Sequence, residues 1–399
     1  HGEGGILALY ALLRRHKRRW IYAIAVIGAS TLLADGVITP AITITTAIEG
    51  LRGINPDIPV LPVAIAVITV VFFVQRFGTE HVGRSFGTFM LLWFMLLGVV
   101  GLMWLIGCPQ VLKALNPYYA ARLLIESPVW FLVLGAVFLC TTGAEALYSD
   151  LGHCGKHNIA ISWIFVKIML ILNYLGQGAW VLANPVRAAG NDNPFYAIMP
   201  DGMLLFAVFM ATGAAIVASQ ALISGSFSIL SEAMNLNFWP RMRIKHPTNV
   251  KGQIYIPTVN GFMYVAVVFT VLLFGDSSRM EAAYGLAITI TMLMTTLLLG
   301  FYLRKMSAPR FVVIIFVGLY CVLEGLFLAA NMSKFVAGGW FTLLIGGLLC
   351  FIMFVWISAR KIRSRYLRIK KLSDYHDIIS AIKADNSIPK YASNLVYVN

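Results

Sequence analysis

The stretch LADGVITPAITITTAIEG, from Leu33 to Gly50, decides the fold class, because it places an acid deep within apolar sequence. Asp35 lies about midway along an apolar segment that runs from Trp20 to Ile48. An unpaired carboxylate at that depth of a membrane span costs several kcal/mol, so an ionisable residue there indicates a functional site. A cation is the natural partner for this acid.

Two hydroxyl groups recur on the same helical face as the acid. Thr39 and Thr43 follow Asp35 by four and eight residues, which returns them to nearly one stripe of an α-helix. Pro40 removes one internal hydrogen bond, and we expect it to free backbone oxygens near Gly36. The pattern predicts a cation site lined by Asp35, Thr39 and Thr43.

The composition indicates an integral membrane protein. Hydrophobic residues make up 59% of the 399 residues, charged residues only 12%, and the mean hydropathy is +0.80. A soluble domain of this size would lack enough polar surface. The five cysteines are scattered, so the sequence predicts neither a disulfide framework nor a zinc site. A membrane span takes about 20 helical residues, and the chain offers ten such apolar stretches: Trp20–Ile48, Ile58–Phe73, Phe86–Ile106, Pro128–Leu147, Ile159–Leu182, Met203–Ala233, Ile256–Phe274, Ala282–Leu303, Phe311–Ala330 and Val336–Ile357.

The distribution of basic residues orients these spans. The formal net charge is +14, and most of the 31 Lys and Arg residues lie in alternate loops and in the tail that follows Ile357. Cytoplasmic loops carry such an excess, so both ends of the chain are predicted to be cytoplasmic. Because the charge follows topology, we expect the lipid bilayer and not a nucleic acid as the partner.

Several motifs together resemble one family. They are EGGILALYALL at residues 3–13, LADGVITPAITITTAIEG at 33–50, QRFGTEHVG at 75–83, TGAEALYSDLGH at 142–153, NYLGQGA at 173–179, ASQALISGSFS at 218–228 and GQIYIPTVN at 252–260. In this order they are similar to the KUP (KUP/HAK/KT) family of potassium uptake transporters, which belongs to the amino acid/polyamine/cation superfamily.

The resemblance implies an all-α integral membrane protein, a LeuT-like inverted-repeat helical bundle in the plasma membrane. The family pattern has twelve spans, of which the first and most of the second are expected to be missing here. Residues 1–358 would form the transmembrane domain, with a partial span at 1–13, and residues 359–399 would begin a truncated cytosolic region. The family pattern also implies no prosthetic cofactor and a possible homodimer through the missing cytosolic domain.

A second polar cluster lies in LCTTGAEALYSDLGHC, residues 139–154. Thr141, Thr142 and Gly143 predict an interruption of the helix, because glycine loosens a helix and hydroxyls compete for its carbonyls. The resemblance makes Thr142 an ion ligand and Glu145 a neutralising or proton-carrying acid. The alternatives are that the threonines bond back to their own helix and that Glu145 snorkels to the interface.

The resemblance adds two weaker candidates. Tyr284 would close one side of the ion site, although a tyrosine at the end of a span is commonly an interface anchor. Glu49 would attract cations or relay protons at the outer end of its span; the alternative is an exposed loop acid. Of the other intramembrane polar residues, Lys167 has no assigned role, and Glu324 is predicted to be buried, paired and structural.

One carboxylate with several neutral oxygens suits a weakly hydrated monovalent cation. Potassium itself follows from the resemblance, since these ligands do not exclude sodium. We expect potassium/proton symport by alternating access, with Glu145, Asp35 and Glu49 as proton-coupling candidates. The alternative is an amino acid or other organic cation transporter of the same superfamily. A potassium channel would need a filter such as TVGYG, which the sequence lacks, and an enzyme would need a gathered nucleophile and base.

Overall fold

A computed structural model of the chain is helical in the part that it describes. That part comprises residues 4–13, 19–77, 80–140, 142–143, 156–189, 193–200, 202–246, 254–366 and 376–385. Within those ranges the β-type pairing is one isolated bridge between Lys245 and Tyr255. The all-α prediction is confirmed for the described residues.

The first half of the chain forms short helices and long apolar ones. Their bounds are α1 (Ile6–Leu13), α2 (Arg19–Glu49), α3 (Val60–Val74), α4 (Glu80–Gly107), α5 (Pro117–Glu126), α6 (Trp130–Leu139), α7 (Lys156–Ala183), α8 (Pro185–Ala189) and α9 (Pro194–Ala197). Short 3₁₀ turns at Gly50–Gly53, Gln75–Phe77 and Pro109–Leu115 follow α2, α3 and α4.

The second half contributes six more helices. These are α10 (Leu204–Asn235), α11 (Pro257–Phe274), α12 (Ser277–Lys305), α13 (Arg310–Met332), α14 (Trp340–Tyr366) and α15 (His376–Ala384), with a π-helical turn at Phe335–Gly339 before α14. Gly275, with φ of 68°, ends α11 in the left-handed region. Asp276 then caps α12 by accepting a hydrogen bond from the Ser278 backbone N–H at 3.2 Å.

Nine helices of the described part are long and apolar enough to cross a membrane. The tenth predicted stretch, Pro128–Leu147, is different, because α6 ends at Leu139 after ten residues. Thr142 and Gly143 are not helical, and Gly143 has φ of 106°. The helix therefore ends just before the predicted interruption, and the residues that would continue it, 144–155, lie outside the described part.

The first long helix, α2, occupies the centre of the bundle. Its most apolar window is 78% buried, against 11% for the corresponding windows of α7 and α13. Helices α3, α10, α11 and α12 pack against it, and α1 also contacts it. The helix continues through Pro40, so the proline does not end it.

The chain divides into a large unit, His1–Phe354, and a small one, Val355–Asn399. Helix α14 begins in the first unit and ends in the second. In the small unit, α15 has exposed side chains at its described positions.

Helices α4 and α7 make a close contact through two glycines. A Cβ atom on Gly101 would overlap the backbone of Leu172 and Asn173, and one on Gly176 would overlap the backbone of Gly101. Such a contact requires the absence of a side chain on both helices. The Asn173 side-chain amide adds a hydrogen bond to the Leu97 carbonyl oxygen at 3.4 Å.

We expect Gly101→Ala to destabilise the protein by about 1–3 kcal/mol, because overpacking forces the two backbones apart. Thermal unfolding of the purified protein in detergent measures the effect. Gly87→Ala on the same helix is the matched control, since nothing lies within 4 Å of a Cβ atom there. Equal melting temperatures for the two variants would contradict the close contact.

Candidate functional site

The predicted polar stripe of α2 is present and buried. Asp35 and Thr39 are 4% and 5% exposed, and the Thr39 hydroxyl donates a hydrogen bond to Asp35 Oδ1 at 2.7 Å. The Thr43 hydroxyl donates to the Thr39 backbone carbonyl at 2.7 Å. The spacing of four residues thus places the three side chains in one connected row, as helical periodicity predicts.

The geometry of this row suits a cation. The Thr39 proton points to the carboxylate, so the lone pairs of its oxygen are available to a further donor or ion. Because Pro40 has no N–H, the Gly36 carbonyl lacks its usual helical donor. A carboxylate, hydroxyl oxygens and a backbone carbonyl are therefore available along one side of α2.

A second helix, α10, adds hydroxyl groups that the sequence analysis did not assign to the site. Ser219 Oγ lies 3.3 Å from Thr43 Oγ1 and donates to the Ala215 carbonyl at 2.7 Å. A Cβ atom on Gly36 would overlap Ser226 Oγ. Thr43 contacts Ser219, and Gly36, earlier on α2, contacts Ser226, later on α10. The two helices therefore run antiparallel beside the stripe. The ASQALISGSFS segment holds both serines, but only the tertiary fold turns them toward α2.

A third contribution comes from α6 and α12. Thr142 Oγ1 and the Tyr284 hydroxyl lie 2.9 Å apart, so two predicted ligands meet across the helix break. Thr142 also donates to the Leu139 carbonyl at 2.9 Å, so its alternative role of bonding back to its own helix is present as well. Leu139 is the last residue of α6, where carbonyls have no helical donor.

Helix α12 connects the two clusters. It runs antiparallel to α2, with Thr31 Oγ1 2.8 Å from Thr291 Oγ1 at one end and Ser277 Oγ 2.6 Å from Glu49 Oε2 at the other. These contacts bracket Asp35, Thr39 and Thr43 on α2 and Tyr284 on α12. The threonine stripe and the Thr142–Tyr284 pair therefore lie on helices that pack side by side.

Glu49 is not an exposed loop acid. Both of its carboxylate oxygens accept hydrogen bonds from Ser277, from the backbone N–H at 3.2 Å and from the hydroxyl at 2.6 Å. Ser277 begins α12, so the carboxylate lies at the positive end of a helix dipole. This contact joins the C-terminal end of α2 to α12.

A cavity of about 710 Å³ opens beside Glu49. Tyr196 lies on its wall, and its hydroxyl donates to the Ala47 carbonyl at 2.8 Å. Burial, with the Glu49 carboxylate as a second cause, holds the pKa of Tyr196 well above its usual value. The tyrosine therefore stays neutral and a hydrogen-bond donor. The wall also includes Arg52, Arg187 and Asn193.

Other predictions have mixed outcomes. Glu145 lies outside the described residues, as does His153. The Lys167 side chain is exposed, with its ammonium 5.4 Å from the centre of the Trp163 ring, which agrees with a snorkelling lysine rather than a buried pair. Glu324 is buried, as expected, and accepts a hydrogen bond from Thr296.

Comparisons with known proteins point to one family. Residues 1–361 match the family described as "K+ potassium transporter integral membrane domain". The chain is 50% identical to "Probable potassium transport system protein Kup" of Flavobacterium psychrophilum, over 100% of this chain and 62% of that protein. It is 49% identical to the protein of the same name in Cytophaga hutchinsonii, over 100% of this chain and 61% of the relative. It is 45% identical to "Putative potassium transport system protein Kup 1" of Lactococcus lactis subsp. cremoris, over 99% and 60%. The chain thus spans about three fifths of the length of these relatives.

We expect Glu49→Ala to destabilise the protein by about 1 kcal/mol, because α12 loses a charged acceptor at its N-terminus. Glu49→Gln should cost less, since an amide oxygen still accepts from the Ser277 N–H. Thermal unfolding of the purified protein measures both effects. Glu126→Ala is the control, because this acid forms an exposed pair with Arg122 that contributes little. A Glu49→Ala protein as stable as the control would contradict the capping role.

Proposed function

Since the chain belongs to the potassium transporter integral membrane domain family, we propose that the protein takes up potassium across the plasma membrane as a secondary active transporter. The buried Asp35–Thr39 pair on the central helix carries this proposal. An acid that is held by a hydroxyl inside a bundle of apolar helices needs a cation or a proton to balance its charge. The names of the relatives do not favour an amino acid or organic cation as the substrate.

The proposed ion site uses oxygen ligands from α2, from α12 and from the non-helical segment after α6. Asp35, Thr39 and Thr43 supply a carboxylate and two hydroxyls, and Thr142 and Tyr284 supply two more hydroxyls across α12. Neutral oxygens around a single negative charge suit a monovalent cation with weakly held water better than a divalent one. Ser219 of α10 adds a further hydroxyl oxygen 3.3 Å from Thr43 Oγ1.

Alternating access is the proposed mechanism, within a LeuT-like inverted-repeat fold. The end of α6 at Leu139 and the non-helical Thr142 and Gly143 support this, because interrupted helices supply backbone oxygens at mid-membrane sites of such transporters. Helix α12 contacts both α2 and the broken segment through Thr291 and Tyr284. Movement of α6 relative to α2 would therefore change the ligand set.

Coupling to a proton is the proposed source of energy for uptake. Asp35 can carry a proton in place of the ion, and Glu145 is the second candidate. Glu49 remains a candidate at the outer end of α2, where it borders the cavity that contains Arg52 and Tyr196. Protonation of Glu49 would weaken its charge-assisted contact with Ser277, so loading of a proton there would loosen α12.

The proposed orientation places both chain ends in the cytoplasm, which puts Glu49 and the cavity on the outside. The whole transporter is proposed to work in the plasma membrane without a prosthetic cofactor. A homodimer through a cytosolic domain is part of the proposal and rests on the family resemblance alone.

We expect Asp35→Asn to reduce rubidium uptake by roughly tenfold or more, since a tenfold loss corresponds to only about 1.4 kcal/mol of ion binding. Uptake by the complete protein is measured in cells that lack their own potassium uptake systems, with the amount of protein in the membrane determined in parallel. Asp57→Asn is the control, because Asp57 is an exposed acid of an outer loop. Normal uptake by Asp35→Asn would overturn the site, and no uptake by the wild type would overturn the substrate.

We expect Thr142→Val and Tyr284→Phe each to raise the rubidium KM by about three- to tenfold. Both residues share one contact, so the double variant should lose less than the product of the two single effects. The double-mutant cycle is measured by the same uptake assay. Fully multiplicative effects would contradict a shared ligand pair.

Proton coupling predicts that rubidium uptake into liposomes slows severalfold when an ionophore collapses the proton gradient at constant membrane potential. The control measures the same vesicles with the gradient intact. Uptake that is unaffected by the gradient would remove the proton from the mechanism while leaving the ion site in place.

A further inference from the structure

Glu324 is an acid inside a membrane span that the proposed mechanism does not use. It lies on α13, a helix at the edge of the bundle with mostly exposed side chains. Glu324 is only 3% exposed, and it belongs to the few buried positions of this helix. The acid is therefore on the face of α13 that packs against the rest of the protein, not on the lipid face.

The two oxygens of this carboxyl group have different surroundings. Oε1 accepts a hydrogen bond from the Thr296 hydroxyl of α12 at 2.7 Å. Oε2 is buried and has no hydrogen-bond partner among the residues that the structure describes. A buried carboxylate normally has each oxygen bonded to donors, so this half-satisfied arrangement needs an explanation.

Among the described residues, the helices around Glu324 provide no cation at its depth. The elements packed on α13 are α12, α6 and the turn Phe335–Gly339. Neither α6 nor this turn contains a charged residue, and the charged residues of α12 lie near its ends. Arg304 is eight residues beyond Thr296, about 12 Å along the helix. Lys334 is engaged by Glu281 at 2.8 Å. The other titratable side chains of α12 and α13 are Arg279, Tyr284, Tyr302, Lys305, Arg310, Tyr320 and Cys321.

A carboxylate with a single hydroxyl donor and no cation is far more costly in apolar surroundings than the neutral acid. We propose that Glu324 carries a proton on Oε2 and forms, with Thr296, a proton-binding site in the membrane between α12 and α13. Its ligand is a proton, and the site is separate from the stripe that contains Asp35. This assignment rests on the local geometry and does not require the proposed transport cycle.

Helix α12 links this site to α2, the helix that carries the proposed ion ligands. Thr296 and Thr291 lie on the same helix and contact Glu324 and Thr31, respectively. Displacement of α12 relative to α13 would separate the Thr296 hydroxyl from Glu324. The hydrogen bond that holds the acid in place would then be lost together with the contact to α2.

Infrared spectroscopy of the complete protein in liposomes tests this proposal at neutral pH. With potassium present, so that Asp35 is ionised, the wild type should show a carbonyl band of a protonated carboxylic acid that is absent from Glu324→Gln, which keeps the shape of the side chain. Glu281→Gln is the matched control, because that acid is paired with Lys334 and its replacement should remove a carboxylate band instead. Loss of a carboxylate band in Glu324→Gln would overturn the proposal.

A second measurement needs no replacement of the acid. Thr296→Val keeps Glu324 but removes the hydroxyl donor, so the acid carbonyl band should persist at a shifted frequency. If Glu324→Gln does not fold, this shift identifies the band as that of Glu324. An acid band that does not respond to Thr296→Val, or the absence of any acid band in the wild type, would overturn the site.

Discussion

The cost of the Asp35 charge inside an apolar bundle is the constraint on which the rest of the structure depends. A carboxylate that water cannot reach must be bonded, neutralised or paired with a cation. The protein places it on its most buried long helix and gives it the Thr39 hydroxyl as a neighbour. Helices α10 and α12 then cover the two sides of α2 with hydroxyl-bearing residues. The polar row is thus enclosed by helices whose outer faces are almost entirely apolar.

Helix α12 has a special place in this arrangement, because it carries polar contacts on several faces. Thr291 meets α2, Tyr284 meets the broken end of α6, and Thr296 meets Glu324 on α13. Ser277 at its N-terminal end holds Glu49. Each contact is a directional bond in surroundings of low polarity, where such bonds are strong when complete and costly when broken. Rotation or sliding of this helix therefore affects several buried groups together.

The sequence predicted features that depend on local periodicity. Nine of the ten predicted spans, the Asp35–Thr43 stripe and the end of α6 before Gly143 follow from hydropathy, helical spacing and glycine. Specific contacts between distant segments could not be predicted from the sequence in this way. Neither the Ser219 contact with Thr43 nor the capping of α12 by Glu49 has a signal in the local sequence. The Gln177 amide, in contrast, donates to Asn173 on its own helix at 2.6 Å, so its partner is local. A polar residue in a span indicates that a hydrogen-bond partner is needed, but the identity of that partner depends on the tertiary fold.

The glycine contact between α4 and α7 has a mechanical consequence. Backbones that meet at Gly101 and Gly176 without intervening side chains have no compliant layer between them. The two helices are therefore expected to move as one rigid unit, because sliding past each other would bring their backbones into steric collision. A displacement of one helix at this contact is therefore expected to carry the other with it.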